Sequence, residues 1–512
     1  MTRTFFQWTA RTILMLTTYA TLSAADLKTS TMFATHMVLQ QGKPVPVWGE
    51  ATPGTEVSIE FAGQKKTVKA DANGKWNAIL DPMKVSASPR SMVITSSDGG
   101  KIKFDDVLVG EVWICSGQSN MSLAITPDLK PLCPDAKQRP IRTFQVKRFV
   151  SFKPLENCHG EWTTSPSGSA VAFGFSYFLQ KALDVPVGVI LTCWGSSSIE
   201  GWMPSDLADK LPKFKKLMAS LENRDRPRIE KILATANDTP QGVKKLPSKD
   251  NIFLRTRANI LYNAMMKPIA PYAVRGMVWY QGEANSKSAD DMLQYKDNLR
   301  LWLARLRKEW NDDFYFIAVM LPRFGRVPGR DKNIENPDTL SWAWIRESQM
   351  KGLDFPNGKK ESVINTIDLG SVKSIHPKDK RPVGERLALL AEKNVYGKDV
   401  AAFGPVFDRF EIDGNKLILK FKYAKGLKTK DGEQPREFWL ATEKGNWKPA
   451  TAKIKGDTIV LEADGIEKPV ACRYAFSACP SPNLVNEAGL PAYPFRTDDW
   501  TPPTARKKKR TR

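Results

Sequence analysis

Gly110-Glu111-Val112-Trp113-Ile114-Cys115-Ser116-Gly117-Gln118-Ser119-Asn120-Met121 decides the fold of this 512-residue chain. The apolar, β-branched run 107–114 reads as a buried strand. It stops abruptly in small and polar residues, Ser116 to Asn120, which suit a tight turn. A serine on such a turn, at the end of a parallel strand, can point its hydroxyl into the crevice above the sheet. For an isolated Gly-Gln-Ser-Asn a polar loop with a solvated serine is the plainer reading, and the rest of the chain decides between the two.

Four more apolar runs follow, at 187–193, 274–280, 314–321 and 363–368. Helical patterns lie between them, at 172–183 and at 292–310, where Leu299, Trp302, Leu303, Leu306 and Trp310 share one face. Strands buried on both faces and separated by helices imply a parallel sheet inside an α/β/α layer. Ligands of such sheets sit at the carboxyl ends of the strands. Here Ser119 follows the first run, and Gly195-Ser196-Ser197-Ser198-Ile199-Glu200 the second. Gln281-Gly282-Glu283 follows the third and Arg323 the fourth; after the fifth come Asp368 and, a loop later, His376. Polar and ionisable residues gathered along one edge make the site reading the stronger one.

Ester hydrolysis by a serine needs a base for the hydroxyl proton, an acid to orient that base, and donors aimed at the oxyanion. Histidine is the usual base, because its pKa lies near working pH. The chain has three: His36 in an N-terminal β region, His159 in a loop, and His376. Only His376 follows a sheet strand and precedes a helix, with Val383, Leu387 and Leu390 on one face. A lone histidine is usually structural; position and elimination single this one out as catalytic. Three dispersed histidines and no cysteine pair at zinc spacing predict no metal and no cofactor.

The block Glu111–Met121 resembles the nucleophile block of the sialate O-acetylesterases, within the SGNH hydrolase superfamily. Trp279-Tyr280-Gln281-Gly282-Glu283 is similar to that family's third block, and Ser374-Ile375-His376-Pro377 to its histidine block. The segment 483–497 is similar to its closing segment. The resemblance covers roughly residues 32 to 498 and implies a flavodoxin-like three-layer α/β/α catalytic domain with β-sandwich regions attached. It also implies removal of O-acetyl groups from carbohydrate. Carried over by position, Ser119 is the nucleophile and His376 the general base. Gly195 and the amide near Ser119 offer backbone N–H groups to the oxyanion, and Gln281 stands where a side-chain amide donor belongs. Asn120 and Arg323, at the same edge, are assigned to oxyanion or substrate binding. The chain departs from the pattern at Gly195-Ser196, where many relatives have Gly-Gly. It departs again at Lys373 and Ser374, where an aspartate would precede the histidine. The orienting acid is therefore sought at the sheet edge, with Glu283 first, Asp368 second and Asp379 third.

The remaining chain frames this centre. Short alternating strands with Gly turns at 31–97, and again beyond 401, predict a β-sandwich before the catalytic region and a second β region after it. The expected division is a signal peptide at 1–25, an N-terminal β-sandwich at 26–106, a catalytic domain at 107–397, a C-terminal β region at 398–503 and a basic tail at 504–512. Basic Arg3 and Arg11, the apolar run 13–22 and Ser23-Ala24-Ala25 give the signal-peptide pattern, hence a secreted or periplasmic protein with no later membrane span. Of the net charge of +22, two belong to this leader and six to the tail, leaving +14 scattered among acids. Without a basic helix or aromatic-basic motif, that surface excludes a nucleic-acid partner but leaves acidic glycans open. Six cysteines in an exported chain permit disulfides, Cys472–Cys479 first and Cys133–Cys158 second. The expected partner is an O-acetylated carbohydrate; acetylated xylan or pectin, or non-catalytic glycan binding, are the alternatives, and oligomeric state is not specified.

Overall fold

The computed structural model describes residues 26–126, 130–325 and 335–503. The signal peptide at 1–25 and the basic tail at 504–512 lie outside the described residues. The protein is an α/β structure organised on one strand, Lys101–Gly117. Its first six residues alternate between exposed and half-buried, and everything from Val107 to Gly117 is buried. That change of pattern marks a change of neighbours. Upstream the strand pairs antiparallel with Ser86–Ser96, and Leu108 to Gly110 pair in parallel with Val38–Gln40. Downstream it lies in parallel between Val187–Cys193 and Gly276–Tyr280. Asp106, at φ +55°, makes the bend between the two halves and also holds His36 Nδ1 at 2.6 Å.

The five expected strands lie side by side, in the order Val187–Cys193, Lys101–Gly117, Gly276–Tyr280, Tyr315–Val319, Glu361–Ile364, all parallel. Numbered along the chain this is 2-1-3-4-5, whose reversal point falls beside the first strand, where a crevice opens. Two strands beyond the five expected extend the sheet past Val187–Cys193. Ile141–Val146 joins in parallel, and Gly160–Thr163 closes the edge antiparallel to it. Helix Ala170–Leu183 packs on helix Arg381–Asn394, and helix Ala289–Trp310 on Trp342–Gly352. The first pair crosses closely because both helices present glycine. A Cβ on Gly384 would lie 2.7 Å from the backbone of Gly174.

Glu111 ties the N-terminal part to this sheet. Its carboxylate, 1% exposed, accepts from Gln40, Gln41, Arg275 and Tyr396. A buried carboxylate is tolerable only when satisfied in this way, and removing one partner of such a pair typically costs about 3–5 kcal/mol. The C-terminal strands form two four-stranded antiparallel sheets and a two-stranded ribbon. Their side-chain bonds run to the catalytic part: Arg496 pairs with Glu347, Tyr493 donates to the Val363 carbonyl, and the Asn365 amide donates to the carbonyls of Pro491 and Ala492. All six cysteines are free and buried, contrary to the expected Cys472–Cys479 and Cys133–Cys158 bridges. Cys472 lies within strand Ala471–Tyr474, which is buried along its whole length.

Candidate active site

Ser119 opens a single helical turn, Ser119–Ser122, directly after the long strand. Gly117 makes the exit possible. Its φ is +142°, and a Cβ there would sit 2.1 Å from the Tyr280 carbonyl oxygen. The Gln118 N–H donates to that carbonyl, and the Trp194 N–H donates to the Gly117 carbonyl. The chain end is thus clamped between its two neighbours while Ser119 turns upward.

His376 meets it there, half-buried, with Nε2 3.0 Å from Ser119 Oγ. The histidine loop is folded on itself: Ser374 Oγ accepts from the His376 N–H and donates to its carbonyl. Gly195 lies against the serine, where a Cβ would come within 3.4 Å of Ser119 Cβ. Ser196, at the position where the family resemblance leads one to expect a second glycine, takes φ +63°, the left-handed conformation glycine adopts freely. The first N–H groups of a helix have no intrahelical acceptor, so the Ser119 amide is available to an incoming oxygen.

None of the expected acids orients the histidine. Among the described residues no carboxylate hydrogen-bonds the His376 ring. Glu283 is buried and accepts from Asn120 Nδ2 at 2.5 Å instead. Asp368 is held by both terminal nitrogens of Arg386, each at 2.7 Å. Asp379 accepts from the Arg381 N–H at the start of its helix.

Asn120 is the hub of a buried polar cluster behind Ser119. Its Oδ1 accepts from Lys380 Nζ at 2.5 Å, and its Nδ2 donates to Glu283 and to the Ile375 carbonyl, one residue before the histidine. Burial pushes the Glu283 carboxyl up to about 7 against the Asn120 hydrogen bond. Burial likewise pushes the Lys380 ammonium down to about 8, with Glu283 and Asp379 opposing. His376 is lowered from its ordinary value by its own burial and then by the Lys380 charge.

Gln281 is not free to act as the side-chain donor. It is fully buried, and its amide donates to Gln118 Oε1, to the Ser197 carbonyl and to Asn285 Oδ1. The amide that faces the serine is Gln118, whose Nε2 lies 3.5 Å from Ser119 Oγ. A chain of partners fixes this orientation. The Glu200 carboxylate can only accept, so Asn285 turns its Nδ2 toward it, at 3.0 Å from each oxygen. Asn285 Oδ1 then takes protons from the Ile199 N–H and from Gln281, while Tyr295 donates to Gln281 Oε1. Gln118 Oε1 accepts from Gln281 and from the Ala284 N–H, which leaves its NH2 to face Ser119. Arg323 spends its guanidinium on the carbonyls of Gly370 and Pro480, bracing the loop that leads to His376. Sequence reasoning missed Gln118, although it stands in the nucleophile block, and Lys380, hidden in the charged run Lys378-Asp379-Lys380-Arg381.

Among the described residues no group of three or more His, Cys, Asp or Glu side chains is placed to hold a metal ion. The family model described as carbohydrate esterase, sialic acid-specific acetylesterase, matches residues 250–388. The sialate O-acetylesterase of Mus musculus is 26% identical over 494 residues, covering 87% of this chain and 88% of the mouse protein. That of Homo sapiens is 25% identical over 507 residues, covering 90% of each. The crystal structure of a carbohydrate acetylesterase from Xanthomonas citri is 31% identical and superposes with a TM-score of 0.77, over 92% of this chain and all of the other. With that fold shared over 92% of this chain, this ester hydrolase belongs to the carbohydrate acetylesterases, and its residues 250–388 carry the match to their sialic acid-specific family model.

Proposed function

We propose that the protein is an exported serine esterase that removes O-acetyl groups from glycans, with Ser119 as nucleophile and His376 as general base. The observation that carries this reading is the 3.0 Å contact between Ser119 Oγ and His376 Nε2 at the carboxyl edge of the sheet. Oγ attacks the acetyl carbonyl as its proton passes to Nε2, and the tetrahedral oxyanion is met by the Ser119 and Gly195 N–H groups and by Gln118 Nε2. The imidazolium returns the proton to the departing sugar oxygen. Water, activated by the same nitrogen, then releases acetate and restores the serine. For Nε2 to accept, the neutral ring must carry its proton on Nδ1. With no carboxylate on that nitrogen among the described residues, the pair acts as a dyad held by the loop Ser374–Pro377.

The strand order 2-1-3-4-5 and the two helix pairs support an SGNH three-layer catalytic domain at 107–397, between β regions at 26–106 and 398–503. The leader pattern at 1–25 supports export, and among the described residues no helix is long and apolar enough to cross a membrane. The names of the mouse and human relatives favour an acetylated sialic acid as substrate. Acetate release from acetylated sialic acid, acetylxylan and acetylated pectin is the direct test, with the highest kcat/KM expected on the first. A preference for xylan or pectin would reassign the glycan, and no release from any of them would refute the esterase reading.

Lys380 gives this mechanism a pH signature. A base works when neutral, so kcat/KM falls as pH drops through the His376 pKa. A buried ammonium nearby disfavours the imidazolium and keeps that fall at lower pH. Lys380→Met removes the charge, and the acidic limb of the kcat/KM profile is expected to move up in pH. An unmoved limb, with the variant folded, would show that Lys380 is not coupled to the base.

A further inference from the structure

We propose that the cleft between the segment 239–251 and the ends of strands Ile141–Val146 and Gly160–Thr163 binds an anionic sugar residue, carboxylated or sulfated, neighbouring the sugar that carries the ester. The position relative to the ester rests on the esterase reading above; the anion site itself does not. The cleft has a volume of about 670 Å³, within the range of small-molecule sites. Lys147, Arg148 and His159 form its wall on the sheet side, and Lys244, Gln241 and Asn251 face them from the inserted segment. Among the described residues no aspartate or glutamate lines it.

The cations are short of counter-charge. The one hydrogen bond Arg148 makes among the described residues runs from Nε to the Cys193 carbonyl, at 3.4 Å. Lys244 has no ion pair among the described residues, and Lys147 has only Glu161, at 3.3 Å on an open surface. Arg255, at the end of helix Ser248–Arg255, sits close enough to Arg148 to feel its charge. Its Nε is buried without a partner. Like charges gathered beside an unsatisfied buried donor are costly unless an anion joins them. A planar guanidinium fork fits the paired oxygens of a carboxylate or sulfate.

The cleft lies on the same side of the sheet as the site. Both lie at the carboxyl edge of one sheet, and the carbonyl that Arg148 holds is two residues before Gly195. Ile141–Val146 is two strands from Lys101–Gly117, or ~10 Å at ordinary strand spacing. That span carries the glycan beyond the ring that bears the ester.

The test is calorimetric titration of the full chain with three unacetylated tetrasaccharides, one of hexuronic acids, one sulfated and one neutral. At least one acidic ligand is expected to bind with an affinity that falls with salt, and the neutral one to bind at least about tenfold more weakly. Arg148→Ala and Lys244→Ala, both at exposed positions, are each expected to weaken the acidic ligand about tenfold, the scale of one lost charge-assisted hydrogen bond. Lys453→Ala, the same charge change on a C-terminal strand, serves as control and should leave binding unchanged. Equal binding of all three ligands would overturn the proposal, as would equal losses in Arg148→Ala and Lys453→Ala. Whichever acid binds more tightly identifies the oxyanion. No step requires ester turnover, so a failed esterase reading would show separately, as absent acetate release with this binding intact.

Discussion

Ser119→Ala is expected to lower kcat by about 10⁶, the scale seen when a serine nucleophile is removed from its catalytic unit. The loss should be confined to chemistry. The side chain is half-buried, and among the described residues its Oγ hydrogen-bonds only to His376 and, at longer range, to Gln118. The clamp that shapes the turn is made by backbone groups of Gly117, Gln118, Trp194 and Tyr280, which alanine leaves in place. Asn120 keeps its bonds to Glu283, Lys380 and Ile375. Acetate release and thermal melting, measured side by side, separate the two effects. A variant that melts like the wild type and retains more than about a tenth of its turnover would remove Ser119 from the mechanism.

Gln118→Ala is expected to lower kcat by about 10²–10³, equivalent to about 2.7–4 kcal/mol of transition-state stabilisation. KM should change little, because the donor is aimed at charge that develops only as the ester carbonyl becomes tetrahedral. The magnitude depends on pre-organisation. An amide free to rotate would have to be oriented during the reaction; this one is already fixed through Gln281, Asn285 and the Glu200 carboxylate. A rise in KM at unchanged kcat would instead make Gln118 a ground-state binding residue. Losses from the Gln118 and Ser119 changes should not multiply, since without the serine Oγ no tetrahedral oxyanion forms for Gln118 to meet.

The parallel core was legible because five apolar runs of strand length alternate with helical patterns, and strands buried on both faces leave that signal. Ile141–Val146 was not, since arginine, threonine and glutamine interrupt its apolar residues and no periodicity separates it from loop. The serine and histidine could be found because each has a distinctive place, one on a strand-ending turn and one among only three histidines. The partners of the carboxylates could not. Asp368 is neutralised by Arg386 from a helix eighteen residues further on, and only the docking of that helix reveals the pairing. Nothing in the sequence singles out Lys380, which lies among other charges; its burial follows from where the helix N-terminus meets Tyr280 and Asn120. The cysteine spacing carried no information about side-chain direction, which placed Cys472 inside a buried strand.

The strand Lys101–Gly117 has a mechanical consequence. Hinged enzymes close over substrate by changing the backbone angles of a few unpaired residues between two bodies. Here the link between the N-terminal part and the turn that carries Ser119 is a single beam, paired to neighbours on its way from one to the other. Glu111 bolts it from the side through Arg275, Gln40 and Gln41. The N-terminal part therefore cannot rock as a lid. It is a chassis, fixed to the same beam that presents Ser119 at the edge of the sheet.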